Sequence, residues 1–266
     1  SLRRVGFDPQ TFLPAPMLGP HLSSQGVDVY AGQHRSIAHS GLSTMLFPGV
    51  EVGALYTLGD LFVTLGERMD AVGAGRTYTY LYWGELDDLA HRHGPYSERY
   101  RRELSDFALQ FSLFLRERAG RRRGDTLFLL TADHGHIATP PDPALELRRY
   151  PEIQDCLSVL PCGEARLPYI YLRPGQEERW RELAERAWPG RFKILRGADC
   201  LQAGLFGAGG PLHPRITERI GDLVLVPQTH GDYLHFDLQR PNLLRGRHGG
   251  LSRAEMLVPL LVLDEL

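Results

Sequence analysis

The run from Arg76 to His136 constrains the fold most, because two strand-like segments there flank one long amphipathic helix. Arg76 to Trp83 (RTYTYLYW) is rich in aromatic and β-branched residues, and Thr126 to Thr131 (TLFLLT) is a short apolar run after a Gly-Asp turn signal. Both read as buried strands. Between them Tyr100, Leu104, Phe107, Phe111, Phe114 and Leu115 share one face at helical spacing, with Ser97 placed to cap the start, which predicts a helix over 97–119. Strand, crossover helix and strand in this order make a right-handed βαβ unit. Residues 132–138 then fall at the carboxyl end of a parallel sheet, where open α/β sheets hold ligands.

The same alternation continues elsewhere. Val27 to Ala31 reads as a strand and Leu58 to Met69 as a helix, and Leu223 to Val226 and Met256 to Leu263 are later apolar segments. An α/β fold follows. Residues 167–205 read as strand (LPYIYL), helix (176–188), strand (RFKIL) and helix (198–204), a compact unit inserted on the main sheet. The division expected is a main α/β domain over 1–141, a small cap over 142–220 and a return to the main domain over 221–266.

Composition narrows the function classes. With 42% hydrophobic and 23% charged residues the chain is globular, and its longest apolar run, Met256 to Leu263, is broken by Pro259 and too short to span a bilayer. Thirty basic against 32 acidic side chains give a net charge of −2, which speaks against nucleic acid as a bulk partner. Cys156, Cys162 and Cys200 lack CxxC spacing, so neither a disulfide framework nor a cysteine zinc site is suggested, and a reducing, cytoplasmic compartment is expected. Nothing in the pattern bears on oligomeric state.

Three clusters can carry chemistry. Thr131-Ala132-Asp133-His134-Gly135-His136 puts a carboxylate and imidazoles on a glycine-flexed loop after a strand, a donor set suited to zinc, although a loop histidine beside a surface aspartate is the plainer alternative. Residues 85–95 (ELDDLAHRHGP) follow the first strand of the βαβ unit; Asp87 and His91 are four apart and can face one ion on a helical turn, with Asp88 as an alternative to Asp87. His248, in Gly246-Arg247-His248-Gly249-Gly250, precedes Ser252 and Glu255 at capping-box spacing.

Together the three clusters resemble the alkaline phosphatase superfamily, specifically its type I phosphodiesterase/nucleotide pyrophosphatase branch. The pattern E-x-D-x-x-x-H-x-x-G-P matches 85–95, D-H-G matches 133–135, and H-G-G-L-S-x-x-E-M-x-V-P matches 248–259. The resemblance implies an alkaline-phosphatase-like, mostly parallel sheet sandwiched by helices, and a hydrolase of phosphodiester or pyrophosphate bonds taking a small phosphodiester or nucleotide. It also implies two divalent ions, zinc by preference, with Asp87, His91 and His248 as one complete three-ligand set and Asp133 and His134 on the second ion. Such a pair of metals can stabilise both the attacking and the leaving oxygen of a displacement at phosphorus. A phosphomonoesterase or phosphomutase of the same superfamily, or a metal-binding domain without catalysis, are the alternatives.

The family also uses an early strand ending in a metal-binding aspartate, and then a Thr or Ser nucleophile. Neither is recognisable here, so both are expected upstream of Ser1, and the chain looks like a member lacking that segment and inactive without it. Thr11, Ser40, Ser43 and Thr44 are the hydroxyls weighed as replacements; none follows a strand that ends in Asp, and capping or loop roles suit them better. His93 and His136, two residues beyond proposed ligands, either meet substrate or stand behind the ligands. Arg166 either pairs with a substrate phosphate or forms a surface salt bridge.

Overall fold

The computed structural model describes residues 16–71, 75–119, 126–207 and 212–264, together with 4, 6–8, 12, 13 and 210. Thr11 lies outside the described residues. The chain divides into two compact units, one of Ser1–Leu86, Arg102–Thr126 and Glu265–Leu266, the other of Asp87–Arg101 and Leu127–Asp264.

In the first unit α1 (Leu18–Ser23) leads into β1 (Val27–His34), α2 (Gly41–Leu46), β2 (Glu51–Leu55), α3 (Leu58–Asp70) and β3 (Arg76–Tyr82). The strands form a parallel sheet in the order β2-β1-β3, with Tyr30 opposite Glu51 on one side and Thr79 on the other. The central strand is buried from Val29 to Gln33, whereas β3, an edge strand, begins exposed. The expectation of a buried β3 is therefore not met, since it runs from exposed to half-buried: aromatic content marks a strand but not its place in the sheet. Phe62 of α3 packs on Phe107, Phe111 and Phe114, the apolar face anticipated from the helical spacing. The carboxyl ends of the strands border a cavity of about 700 Å3 lined by His34, Tyr56, Trp83 and Glu103 among others.

Two helices follow, α4 (Glu85–His93) and the 22-residue α5 (Glu98–Ala119). Ser97 Oγ accepts the Tyr100 amide at 3.3 Å, so the cap stands where its residue type placed it.

The second unit contains β4 (Phe128–Thr131), β5 (Ile137–Ala138), α6 (Pro151–Asp155), β6 (Leu157–Glu164), β7 (Leu167–Leu172), α7 (Glu177–Ala187), β8 (Phe192–Arg196), α8 (Gly197–Gln202), α9 (Ile216–Arg219), β9 (Leu223–Pro227), β10 (Gly246–Arg247), α10 (Arg253–Met256) and β11 (Leu260–Leu263). Its main sheet is antiparallel throughout, in the order β6-β7-β9-β8. Trp180, Trp188, Ile153, Ile170, Leu223 and Leu225 fill the core behind it. Because β9 is an inner strand here, this sheet runs past residue 220, where the inserted unit was expected to end.

β4 also differs from expectation. Among the described residues it pairs with β11, antiparallel, with Leu260 opposite Thr131, instead of extending the parallel sheet as the second strand of a βαβ unit. The apolar run after Pro259 supplies that partner, and one-dimensional alternation cannot tell which of two apolar segments a strand will bond. Leu129, Leu260 and Val262 are exposed on this two-stranded ribbon, so it is not the buried strand that its apolar content suggested. No helix among the described residues is long and apolar enough to cross a membrane.

Candidate metal centre

Three short stretches of the second unit bring the site together. On α4, Asp87 and His91 stand one turn apart, and His91 Nε2 lies 3.3 Å from Asp87 Oδ1. The second stretch, Asp133 to His136, joins β4 to β5. The third follows from register: β5 pairs with β10 with Ile137 opposite Arg247, so His136, just before one strand, is brought beside His248, just after the other. Buried Arg247 anchors that bridge. Its Nη1 donates to the Thr139 and Leu244 carbonyls, its Nη2 donates to Asn242 Oδ1 at 2.6 Å, and its guanidinium lies 3.7 Å over the Tyr233 ring.

Four imidazoles converge on one carboxylate oxygen. Asp87 Oδ1 is 2.6 Å from His136 Nε2, 3.3 Å from His91, 3.8 Å from His248 and 4.0 Å from His134. The His134 and His248 rings stack at 3.6 Å. His91 Nδ1 lies 2.9 Å from the Gly246 carbonyl and His134 Nδ1 3.2 Å from the Gly135 carbonyl. A carbonyl only accepts, so both rings carry a proton on Nδ1 and turn the Nε2 side towards Asp87.

The electrostatics suit a cation. Burial alone raises the Asp87 pKa, but hydrogen bonds from His136 and His91 outweigh it and hold the carboxyl well below its usual range. The hydrogen bond to Asp87 raises His91. Burial, with His134 and His136 as like-charged neighbours, pushes His248 down to about 4, so at neutral pH its ring is uncharged and offers a lone pair. Buried His136 Nδ1 has no hydrogen-bond partner among the described residues. Donor atoms of Asp87, His134, His136 and His248 all lie within 4.8 Å of one another, and imidazole nitrogen with carboxylate oxygen is a zinc-type set; these residues fit a divalent ion.

The structure gathers most of the sequence-derived residues. Asp87, His91, His134 and His248 come together around the Asp87 carboxylate. Asp133 is at the rim with its side chain 58% exposed, and its Oδ2 lies 3.7 Å from His134 Nε2. His136 belongs to the inner group. The signal for it was present, since residues two apart in an extended segment point the same way and His134-Gly135-His136 leads directly into β5. His93 is outside the group and accepts from Arg99 Nη1 at 3.0 Å. Arg166 cannot serve as a substrate-binding residue: its side chain is 2% exposed, Nε and Nη2 grip Glu255 at 2.9 and 2.8 Å, and Nη1 donates to the Asp232 and Thr229 carbonyls. The hydroxyls weighed as nucleophiles serve local structure. Ser40 caps α2 by accepting the Ser43 amide, Ser43 Oγ hydrogen-bonds to Gln33 and to the Ile37 carbonyl, and Thr44 Oγ1 donates to the Ser40 carbonyl. Ser252 makes no side-chain cap; its hydroxyl donates to the Glu255 carboxylate at 2.5 Å, because that carboxylate is held inward by Arg166.

No curated protein sequence matches the chain. Solved structures share its fold. Human ectonucleotide pyrophosphatase/phosphodiesterase 5 superposes with a TM-score of 0.70 at 18% identity, over 96% of this chain and 65% of its own. An inactive form of the murine protein, solved with AMP, gives 0.68 at 17% identity over 98% and 67%. Phosphonoacetate hydrolase from Sinorhizobium meliloti 1021, solved with phosphonoformate, gives 0.62 at 17% identity over 96% and 69%. The chain thus spans about two-thirds of the length of these structures. The family model for type I phosphodiesterase/nucleotide pyrophosphatase matches residues 57–251, most of the chain, with the first two motifs and the start of the third, and the protein belongs to that family.

Proposed function

We propose that the protein is a metal-dependent hydrolase of phosphodiester or pyrophosphate bonds, with a small nucleotide or phosphodiester as its substrate. The observation that carries this reading is the convergence of four imidazoles on Asp87 in a chain of this family. Zinc is the ion the donor set favours. One ion is assigned to the residues gathered at Asp87, including His91 and His248. A second, which the family resemblance calls for, has Asp133 and His134 as donors, and His134 stands between the two carboxylates, 3.7 Å from Asp133 Oδ2 and 4.0 Å from Asp87 Oδ1. Bound there, divalent ions supply Lewis acidity towards a phosphoryl oxygen and positive charge opposite the leaving oxygen.

The chain's own residues prepare that chemistry. The Gly246 and Gly135 carbonyls hold His91 and His134 with Nε2 towards Asp87, His248 is neutral, and His136 orients the Asp87 carboxylate. Ser40, Ser43 and Thr44 are committed to α2, so none of them is proposed as nucleophile. A cytoplasmic location, from the cysteine usage, belongs to the same proposal.

Elemental analysis with turnover tests it. On the protein as its gene encodes it, the expected result is bound zinc and faster hydrolysis of bis(p-nitrophenyl) phosphate than of p-nitrophenyl phosphate. Preference for the monoester would move the assignment to a phosphomonoesterase or phosphomutase, and zinc without turnover to a binding domain. No zinc at saturating metal would sink the reading.

A further inference from the structure

We propose, on the metal-site reading above, that Glu255 is a positioning residue that holds the ligand loops 133–136 and 248–250 at the separation a metal ion needs. Glu255 touches neither Asp87 nor any of the four imidazoles through a described contact, yet it is bonded to both loops. Its backbone carbonyl accepts the Gly135 amide at 2.8 Å, between His134 and His136. Its Oε1 accepts the Gly250 amide at 3.0 Å, two residues after His248. The same carboxylate takes the Ser252 hydroxyl and both Arg166 donors, so four donors fix it, and its side chain is 1% exposed.

Arg166 in turn is tied to the antiparallel sheet. It lies just before β7, and its Nη1 donates to the carbonyls of Thr229 and Asp232, beyond the end of β9. The chain of contacts therefore runs from that sheet through Arg166 and Glu255 to both ligand loops. Gly135 belongs to the same device: a Cβ built there would collide with the Ala254 carbonyl oxygen, so only glycine lets the first loop approach α10 closely enough to bond Glu255. A buried ion pair adds little net stability over a well-packed apolar replacement, and what distinguishes this one is the geometry it imposes. Mutating a group that orients metal ligands typically costs about 10–100-fold in metal affinity.

Cobalt(II) titration of the metal-free protein, read by its visible d–d absorption at a temperature where far-UV circular dichroism shows every variant folded, tests the proposal. Glu255→Gln is expected to weaken cobalt binding by about tenfold or more and to change the d–d spectrum. Ile153→Ala, which opens a cavity in the core behind the antiparallel sheet, lowers the melting temperature but keeps parent affinity and spectrum. Should Glu255→Gln not fold, Gly135→Ala separates the same loop from α10 with the ion pair intact, and the same weakening and spectral change are expected. Parent affinity and spectrum in Glu255→Gln, or in Gly135→Ala where it stands in, would overturn the positioning role while leaving the metal reading in place. A parent protein that takes up no cobalt overturns the metal reading and this inference with it.

Discussion

The two units make sites by different means. In the first, the carboxyl ends of three parallel strands leave an open cavity whose polar groups are satisfied locally: Trp83 Nε1 donates to Glu103 at 3.1 Å, and the Arg35 guanidinium sits 5.5 Å from the Tyr56 ring centroid. In the second, a two-residue bridge between β5 and β10 and one turn of α4 aim four imidazoles at a single carboxylate. A parallel sheet provides space at its end without specifying what fills it. Convergent ligands need loops locked to one another, and the second unit spends two buried arginines, Arg166 and Arg247, on that locking.

If the contrast is real, metal binding depends on the second unit alone. Asp87→Ala and His248→Ala are expected to lose the ion at Asp87, lowering zinc by about one ion per chain in elemental analysis, while Tyr56→Ala in the cavity of the first unit keeps the parent content. Loss of zinc on Tyr56→Ala would break the comparison.

The locking arginine gives the next largest effect. Arg166→Met leaves the Glu255 carboxylate buried without its charged partner, and removing one member of such a pair costs about 3–5 kcal/mol. Urea unfolding is expected to show a loss of that order, with much of it recovered in Arg166→Met/Glu255→Leu, where no charge is stranded. A double variant as unstable as the single would mean that shape, not charge, is what Arg166 supplies.

How far the sequence disclosed each region follows the same division. Helices α3 and α5 were legible because burying one face imposes a 3.6-residue period, and β1, β3, β7, β8 and β9 because they are apolar runs between turn signals. β2 and β6 were not, nor were the two-residue β5 and β10. β2 contains Gly53, which stands under Tyr30 of β1, where any side chain would meet the tyrosine ring; that glycine answers to a cross-strand neighbour, not to local alternation. β6 carries Pro161 and Gly163 and shows register shifts against β7, so it reads as a loop, though an edge strand accommodates both. At the site, Asp87, His91, His134 and His248 were legible from motif order. His136 was legible as a candidate but not as a member of the inner group, because that place depends on the β5–β10 register. Arg166 was misread because a sequence does not say whether a guanidinium before a strand points to solvent or inward.

Glu255 also gives the lock a pH signature. Burial raises its pKa, but hydrogen bonds from Arg166 and Ser252 win and hold it below the ordinary glutamate value of 4.5. A carboxyl depressed on folding contributes stability that is fully present above the unfolded value and is lost as pH falls through the folded one. Metal-free protein is therefore expected to lose stability below about pH 4.5, and Glu255→Gln to show a shallower fall across that window. Parallel acid limbs would place the proton-linked stability elsewhere.

The smallest expected effect belongs to the first unit. Ser40 accepts the Ser43 amide at the start of α2, a helix of six residues that has little propensity of its own to sustain it. Ser40→Ala removes that acceptor and is expected to cost about 1 kcal/mol in urea unfolding. Ser43 keeps its bonds to Gln33 and the Ile37 carbonyl, so the helix is held from its buried side and the loss stays local. Because the hydroxyl is assigned to capping and not to chemistry, diester turnover by the protein as its gene encodes it should be unchanged once the variant is folded. A large fall in turnover with unaltered stability would instead give Ser40 a part in the reaction, and the first unit would then supply a reacting group as well as a cavity.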